Sequence, residues 1–297
     1  MTALPSHSGE TAAIDLAAYF RRVGFGVGTG GLAPRADLAT LRALHARHLA
    51  TIPFENLSPL LGMPVPLDPD HLHHKLVDQA RGGYCFEHNL LFLGVLQRLG
   101  FAAEGLAARV RWNLPHDAPV TPRTHMLLRV RIDETDYLLD TGFGGMTPDA
   151  PLAWQCGLEQ ATALDTFRLR RITTDEPGAA GETYALEAKI GAEWRVLYLI
   201  DPEPKHRADF EQMNWFVATH PQSRFVNHLV VARPAAGARH NLFNGRYTIH
   251  RRAAPPEVRE VDSVEALLGL LGDVFGIEPP PHPVLHQRLR AVLGISA

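Results

Sequence analysis

At residues 81–87 the chain reads Arg81-Gly82-Gly83-Tyr84-Cys85-Phe86-Glu87, and an apolar run follows from Leu90 to Leu99. Large apolar side chains occupy nearly every face of this run, which predicts a buried central helix from Cys85 to about residue 99. Gly100 is suited to end this helix. The two glycines permit a tight backbone turn just before it, so we expect Cys85 in its first turn.

Cys85 is a candidate nucleophile because of this position. Unpaired backbone amides and the helix dipole favour negative charge at a helix N-terminus, and therefore favour a thiolate. A catalytic thiolate also needs a histidine to manage its proton and a carboxylate to orient that histidine. A free cysteine is more often a small buried hydrophobic residue, so this alternative stands beside the catalytic one.

The composition restricts the class of protein. Of the 297 residues, 45% are hydrophobic and 21% are charged, as in soluble globular proteins with a substantial core. The length suits one large domain or two or three smaller ones. The 29 basic and 32 acidic residues give a net charge of -3, which argues against electrostatic binding of nucleic acid or an anionic membrane.

The chain has two cysteines, Cys85 and Cys156, too few for a disulfide scaffold or a four-cysteine zinc site. Residues 1–10 lack the pattern of a signal peptide, and no apolar run reaches the roughly 18 residues that span a bilayer. We therefore expect a reduced, cytoplasmic protein. Cys156 has no context like that of Cys85 and is expected to be structural filling.

Three more helices are expected before Cys85. The first is capped by Asp15 and stopped by Gly24, and the second spans residues 37–49. The third spans residues 70–80 and carries a His-x-His-His motif. No cysteine or carboxylate set completes a metal site near this motif, so we interpret its histidines as a solvated helix face: His71, His73 and His74.

After residue 100 the hydrophobic period changes from that of helices to that of strands. Strands are predicted over residues 106–112, 125–132, 137–140, 166–172, 183–190 and 194–200. Antiparallel strands at this spacing indicate a small sheet or barrel. The last third is mixed, with strands expected over 225–232 and 246–251, a helix over 262–271 and a short final helix.

His125 opens one predicted strand, and Asp140 ends the strand that returns after the next turn. If that turn is symmetric, Asp140 faces Arg129, and His125 lies on the same face of the hairpin. His125 is then four residues from Arg129, the residue opposite Asp140, and four residues correspond to roughly 13 Å along a flat strand. A bulge, strong curvature or a different register must therefore bring the two side chains together. Taken singly, both residues are also typical of packing and turn positions.

Together, the motifs resemble those of the arylamine N-acetyltransferase family. The cysteine stretch is accompanied by Thr124-His125-Met126-Leu127-Leu128 and by Asp140-Thr141-Gly142-Phe143-Gly144. Segments 16–25, 48–57 and 214–225 are similar to further parts of the family, so the likeness covers almost the whole chain. Thr141 is a mild departure, because Val or Ala is expected there.

The resemblance implies an α+β fold with a cysteine-protease-like Cys-His-Asp site. The expected parts are an N-terminal helical bundle over residues 1-100, a central antiparallel β-barrel over 101-205 and a C-terminal α/β lid over 206-297. The bundle would carry the nucleophile, and the barrel the base and the orienting carboxylate. These roles would fall on Cys85, His125 and Asp140.

The implied activity is acetyl transfer from acetyl-CoA to arylamines and arylhydrazines, by a ping-pong mechanism through an acetyl-cysteine. Acetyl-CoA is then a co-substrate, no metal is needed, and the protein is expected as a monomer or homodimer. An amide synthase or acyltransferase of the same family with a longer acyl donor is the main alternative. A thiol protease or transglutaminase-like enzyme and an inert coenzyme A binding module are the others.

The resemblance also implies contacts around the reacting atoms. Three aromatic residues are expected to line the acceptor pocket, with core packing as the alternative: Trp112, Phe143 and Phe216. Four residues are expected beside the thioester and the pantetheine arm, where a loop amide would serve the oxyanion: Thr124, Gly142, Gly144 and Gly145. Arginines that include Arg233 and Arg239 are candidates for the coenzyme phosphates.

Overall fold

The computed structural model of the protein describes residues 14–26, 34–173, 175–176, 178–179, 181–235, 237–252 and 254–295. Residues 1–10, whose sequence lacks the pattern of a signal peptide, lie outside these ranges. Within them, no helix combines the length and the apolar character that crossing a bilayer requires.

The first part of the described chain is helical. Asp15 caps the first helix by accepting hydrogen bonds from the amides of Ala17 and Ala18, and Gly24 ends it in a left-handed conformation. Asp37 caps the second helix. These two predictions and the predicted central helix are confirmed. The elements are α1 (Leu16–Val23), α2 (Leu38–Thr51), β1 (Phe54–Glu55), α3 (Leu57–Leu60), α4 (Pro69–His73), a π-helical turn (His74–Asp78) and α5 (Cys85–Arg98).

The predicted helix over residues 70–80 is divided into α4 and the π-helical turn. His71 and His74 are exposed, as expected for a solvated face. The same expectation is wrong for His73, which is buried because α4 packs against α5. Among the described residues, no three His, Cys, Asp or Glu side chains are grouped so that they could hold a metal ion.

The middle of the chain forms an antiparallel sheet that is nearly closed into a barrel. Its strands are β2 (Ala102–Val110), β3 (Arg123–Ile132), β4 (Thr135–Leu139), β5 (Leu152–Ala153), β6 (Gln160–Ala161), β7 (Thr166–Arg171), β8 (Tyr184–Ile190) and β9 (Glu193–Asp201). Their order is β5-β4-β3-β2-β9-β8-β7-β6. The Gln160 amide joins the two edges by bonding the backbone N–H and C=O of Ala153 at 2.7 and 3.0 Å.

The β2–β3 hairpin is buried on both faces. Leu106 and Leu127 point into the barrel core, whereas Ala107 and Leu128 belong to the core that includes the helices. This alternation follows from the two-residue period of a strand. The outer face of the hairpin therefore packs against α5, and this contact explains why α5 is apolar on nearly all sides.

The C-terminal part combines a five-stranded antiparallel sheet with helices. Its elements are α6 (Arg207–Thr219), α7 (Arg224–Asn227), β10 (Val230–Ala235), β11 (Ala238–Phe243), β12 (Arg246–Arg251), β13 (Glu257–Glu260), α8 (Val264–Leu270), a second π-helical turn (Leu271–Phe275) and α9 (Leu285–Leu293). The strand predicted from residue 225 is wrong at its start, because Ser223 caps the short helix α7 and β10 begins only at Val230.

The division into residues 1-100, 101-205 and 206-297 remains a proposal. The helices give way to barrel strands between Arg98 and Ala102. Strand β1 crosses the proposed division, because it pairs with β10, with Phe54 opposite Ala232. The first part of the chain thus supplies an edge strand to the last part.

Cys156 lies in an isolated bridge with Leu169 next to the edge of the barrel. Its side chain is exposed. The expectation that it fills the core is therefore wrong, because residues 155–159 turn at Gly157 and are exposed.

The loop before Cys85 tolerates no side chain at Gly82. A Cβ atom there would lie 2.1 Å from the Pro53 carbonyl oxygen and 2.8 Å from Cγ of Glu55. We expect Gly82→Ala to lower the free energy of unfolding by about 2 kcal/mol, measured by urea denaturation. Gly269→Ala is the matched control: no atom lies within 4 Å of its Cβ position in α8, and it should stabilise by about 0.5–1 kcal/mol. Equal stabilities of the two variants would contradict this packing.

Candidate active site

Cys85 is the first residue of α5 and is buried. The Glu87 carboxylate accepts a hydrogen bond from the Tyr84 amide at 3.0 Å and so caps the helix that carries the thiol. Burial raises the pKa of Glu87, and the Lys75 ammonium, 2.6 Å away, opposes this shift. The start of the helix is thus fixed by a buried ion pair.

The loop that leads to Cys85 is tied to strand β1. The Gly83 amide donates to the Pro53 carbonyl at 3.3 Å, and the Glu55 amide donates to the Gly83 carbonyl at 2.8 Å. Arg81 forms a buried ion pair with Glu55 at 2.6 Å. We call residues 81–84 the nucleophile loop. Its position is set by backbone pairing as well as by charge.

The register predicted for the β3–β4 hairpin is wrong. Leu128 pairs with Leu139. The next residue, Asp140, therefore lies opposite Leu127 and not opposite Arg129. The turn begins one residue earlier than assumed because Asp133 adopts a left-handed conformation. The corrected register keeps His125 on the face of Asp140 and halves the offset between them to two residues.

Asp140 and His125 are joined by a short hydrogen bond, with Nε2 of His125 2.7 Å from Oδ2 of Asp140. A bulge lies beside His125: Ala108 pairs with His125 and Arg109 with Arg123, so that Thr124 is left without a partner residue on β2. The bulge is one of the devices expected to bring the two side chains together, and it acts together with the corrected register.

The carboxylate of Asp140 is fully buried and satisfied on both oxygens. Oδ2 accepts from His125 and, at 3.0 Å, from the Tyr198 hydroxyl, and Oδ1 accepts from the Gly142 amide at 2.8 Å. Nε2 of His45 is 2.9 Å from the backbone carbonyl oxygen of Asp140. Burial raises the pKa of Asp140, but the charge of His125 and these hydrogen bonds outweigh it and lower the pKa below its ordinary value.

The surroundings of His125 favour its charged form. Burial lowers its pKa, but the charge and hydrogen bond of Asp140 and the neighbouring Cys85 raise the pKa to about 10. The rings of Phe143 and Tyr198 pack against the imidazole at centroid distances of 5.1 and 4.8 Å. The resulting stabilisation is complete below the ordinary pKa of 6.5 and is lost as the pH rises through about 10.

Asn89 was not identified from the sequence, although it connects all three segments of the site. Its Nδ2 donates to the carbonyl of Cys85 at 3.1 Å and to that of Met126 at 2.8 Å. Its Oδ1 accepts from the amide and the hydroxyl of Thr141. The hydroxyl that distinguishes Thr141 from Val or Ala therefore adds one hydrogen bond to this network. The available signal was the spacing from Cys85, one helical turn along α5.

Cys85 and His125 open onto one cavity of about 820 Å³. Asp140 lies behind His125 and does not line the cavity. Most of the residues expected around the reacting atoms line this cavity: Trp112, Thr124, Gly142, Phe143, Gly145 and Phe216. Gly144 is not among its lining residues and instead faces the ring of Phe54, 3.5 Å from its Cβ position.

Gly142 packs against Cys85 more closely than expected. A Cβ atom at this position would lie 2.6 Å from Cα of Cys85, so only glycine lets the loop pack on the backbone of the cysteine. Its amide donates to Asp140 and is therefore engaged. This arrangement removes Gly142 from the amides that can serve an oxyanion.

The two arginines that were candidates for coenzyme phosphates are engaged elsewhere. Arg239 is buried, with Nε 2.6 Å from Asp165. Arg233 donates to the carbonyls of Ala50 and Val274. Neither lines the cavity, so the contacts of these two arginines do not support this part of the expectation. The arginines that do line it are Arg224 and Arg246.

A buried thiol and a His–Asp pair at one cavity are suited to a cysteine-dependent acyltransferase, and the chain is similar to known N-acetyltransferases. A family model described as N-acetyltransferase matches residues 37–280. An arylamine N-acetyltransferase of Mycolicibacterium smegmatis is 42% identical over 269 residues, 90% of this chain and 93% of the relative. One of Escherichia coli is 35% identical over 260 residues, 87% of each chain.

Solved structures are similar as well. The arylamine N-acetyltransferase of Mycobacterium marinum in complex with CoA has a TM-score of 0.85 and 39% identity, over 94% of this chain and 99% of that one. A Mycobacterium smegmatis N-arylamine acetyltransferase gives a TM-score of 0.86 at 39% identity, with the same coverage. The chain belongs to the arylamine N-acetyltransferase family, whose members are acetyl-CoA-dependent acyltransferases.

Asp140→Asn tests the electrostatic coupling of the site. The amide keeps the shape of the carboxylate but removes its charge, so burial should then lower the pKa of His125 and leave the ring neutral at pH 7. Without an imidazolium beside it, Cys85 should react with iodoacetamide at pH 7 at least about tenfold more slowly. Asp136→Asn, in the same hairpin but paired with Arg131, is the control and should react like the wild type. Equal rates in all three proteins would contradict the coupling.

Proposed function

We propose that the protein transfers acetyl groups from acetyl-CoA to arylamines and arylhydrazines by a ping-pong mechanism through an acetyl-Cys85 intermediate. The observation that carries this proposal is the cavity onto which Cys85 and His125 open, with Asp140 hydrogen-bonded to His125 from behind. The relatives named arylamine N-acetyltransferase and the structural neighbour that contains CoA support the choice of substrates.

In the first half-reaction His125 holds the proton of Cys85, which gives a thiolate–imidazolium pair. The sulfur attacks the carbonyl carbon of the acetyl thioester, and the bond between that carbon and the sulfur of coenzyme A breaks. His125 returns the proton to the departing thiolate. One thioester replaces another, so the step is nearly balanced in free energy.

In the second half-reaction the nitrogen of the acceptor attacks the acetyl carbon of acetyl-Cys85. The bond to Sγ breaks, His125 takes a proton from the nitrogen, and the thiolate–imidazolium pair is restored. Aromatic amines are weak bases and are largely uncharged at neutral pH, so their nitrogen is ready to attack.

Asp140 acts as the orienting residue of this cycle. Its hydrogen bond to Nε2 fixes the ring, which leaves Nδ1 as the nitrogen available to Cys85. Its charge stabilises the imidazolium without itself accepting the proton. The lowered pKa of the buried carboxyl keeps it ionised through both half-reactions.

The two substrates would approach the thiol from different walls of the cavity. The aromatic walls formed by Trp112, Phe143 and Phe216 favour stacking with an aryl acceptor. Of the residues expected there, Thr124, Gly142 and Gly145 line the cavity and would flank the thioester and the pantetheine arm. Arg224 and Arg246, also on the cavity wall, are suited to the coenzyme phosphates.

A longer acyl donor remains the second candidate, because the cavity of about 820 Å³ exceeds the needs of an acetyl group. This alternative includes an amide synthase with the same triad. A panel of acyl-CoA donors of increasing length decides between them. The main proposal requires the highest kcat/KM with acetyl-CoA, and a preference for a carrier-bound long acyl chain would replace it.

The acetyl-enzyme is directly testable. Incubation with acetyl-CoA and no acceptor should add one acetyl mass to the peptide that contains Cys85, with release of one equivalent of coenzyme A. Cys85→Ala should lose arylamine acetylation by about 10³-fold or more, because the nucleophile is gone. Cys156→Ala is the matched control and should keep full activity, since that thiol is exposed and outside the cavity. Efficient acetylation by Cys85→Ala would contradict the mechanism.

The acceptor wall is tested by Phe216→Ala. Loss of the ring should raise KM for an arylamine about tenfold and leave the rate of coenzyme A release in the first half-reaction unchanged. Trp215→Ala removes the adjacent ring of α6, which is 67% exposed and does not line the cavity, and should leave KM unchanged. If both variants shift KM equally, Phe216 is not part of the acceptor wall.

A further inference from the structure

A chain of buried polar side chains lies behind the nucleophile loop and takes no part in the proposed chemistry. The Tyr19 hydroxyl is 2.9 Å from Nδ1 of His48, and Nε2 of His48 is 2.9 Å from Nδ1 of His88. Nε2 of His88 is 3.1 Å from the carbonyl oxygen of Pro53. Tyr19, His48 and His88 are each at most 1% exposed. They connect α1, α2 and α5.

The chemistry of its last member fixes the direction of the whole chain. A carbonyl oxygen only accepts, so Nε2 of His88 carries a proton and donates to Pro53. Nδ1 of the neutral ring must then accept from Nε2–H of His48. In turn, Nδ1 of His48 accepts from the Tyr19 hydroxyl. With both imidazoles neutral, each ring carries its proton on Nε2.

Burial keeps these rings uncharged. Burial, together with the positive charge of Lys75, lowers the pKa of His88 to about 4, although the Pro53 and Gly83 carbonyls and Glu55 oppose the shift. Burial and the neighbouring His88, His45 and Arg22 lower the pKa of His48 well below its ordinary value. A proton on either accepting nitrogen would break the chain.

The chain ends on the backbone that supports the nucleophile. The Pro53 carbonyl accepts a hydrogen bond from the Gly83 amide as well as from His88, and Gly82 packs directly over it. His88 is on the same helix as Cys85, three residues further along. One carbonyl oxygen is thus held between the nucleophile loop and the first turn of the helix that carries the thiol.

We propose that His88 is a positioning residue for Cys85, which acts through the Pro53 carbonyl and is itself oriented by His48 and Tyr19. This inference rests on the proposed function, because it assigns a purpose only if Cys85 is the nucleophile. Loss of the His88–Pro53 bond leaves a buried carbonyl with one donor fewer, and the nucleophile loop loses a fixed support. A displacement of the sulfur by 1 Å is sufficient to slow attack severely.

The test compares two variants of His88. His88→Leu fills the space without hydrogen bonds, whereas His88→Gln retains an amide N–H for Pro53 and an oxygen for His48. We expect His88→Leu to slow acetylation of Cys85 by acetyl-CoA about tenfold or more, with KM within about twofold of wild type. Its iodoacetamide reactivity should shift to higher pH. His88→Gln should recover most of the lost rate and the wild-type pH profile.

His240→Leu is the matched control, because it removes another histidine–tyrosine hydrogen bond, to Tyr247 in the C-terminal sheet. It should leave the acetylation rate and the pH profile of Cys85 unchanged. Wild-type rates in His88→Leu, or equal losses in the Leu and Gln variants, would overturn the inference. If the wild type forms no acetyl-Cys85, the proposed function fails instead, and the iodoacetamide profiles still report on positioning.

Nitrogen NMR of the wild-type protein gives a second measurement that does not depend on how the variants fold. Spectra with ¹⁵N-labelled histidine should show His48 and His88 as neutral rings with the proton on Nε2 at pH 7. A proton on Nδ1 of either ring, in a neutral or a charged form, would overturn the inference, because that nitrogen could no longer accept the hydrogen bond that orients the ring.

Discussion

The carboxylate of Asp140 is a full charge in the interior, and the site depends on how that charge is satisfied. Transfer of an unpaired carboxylate into a protein core costs several kcal/mol, so its partners must be held in place. His125 supplies the opposing charge, while Tyr198 and Gly142 supply hydrogen bonds. The pKa of Asp140 remains low and that of His125 rises. A charged imidazole is the state that a cysteine nucleophile requires of its base.

The three regions of the chain converge on this charge. The helical region brings Cys85 and Asn89 on α5, and the barrel brings the β3–β4 hairpin and, from β9, Tyr198. The C-terminal region closes the cavity with α6 and the face of its sheet. Because Asn89 bonds the backbone of Cys85, Met126 and Thr141, the thiol and the His125–Asp140 pair are fixed relative to each other.

Much of this arrangement could be predicted from the sequence where the signal was local. Capping by Asp15 and the apolar run after Cys85 located two of the main helices correctly. The hairpin register was wrong because it depends on the backbone conformation of a single residue, Asp133, which composition does not reveal. The three residues of the triad were indicated by the family resemblance. The corrected register accounts for the short distance between His125 and Asp140.

Other features depended on contacts between distant segments. Tyr198 is 58 residues from Asp140 along the chain and looks like any apolar residue of an interior strand. The engagement of Arg239 by Asp165 likewise depends on contact between the barrel and the C-terminal sheet. Neither is visible without the fold, because side-chain type and period do not say which distant segment lies opposite.

The charge state of His125 tests the account most directly. In ¹⁵N NMR spectra of the free protein with labelled histidine, both ring nitrogens of His125 should be protonated at pH 7, and the ring should titrate with a pKa of about 10. A ring that is neutral at pH 7 and titrates near 6.5 would contradict the claim that the buried charge of Asp140 sets the chemistry of the site.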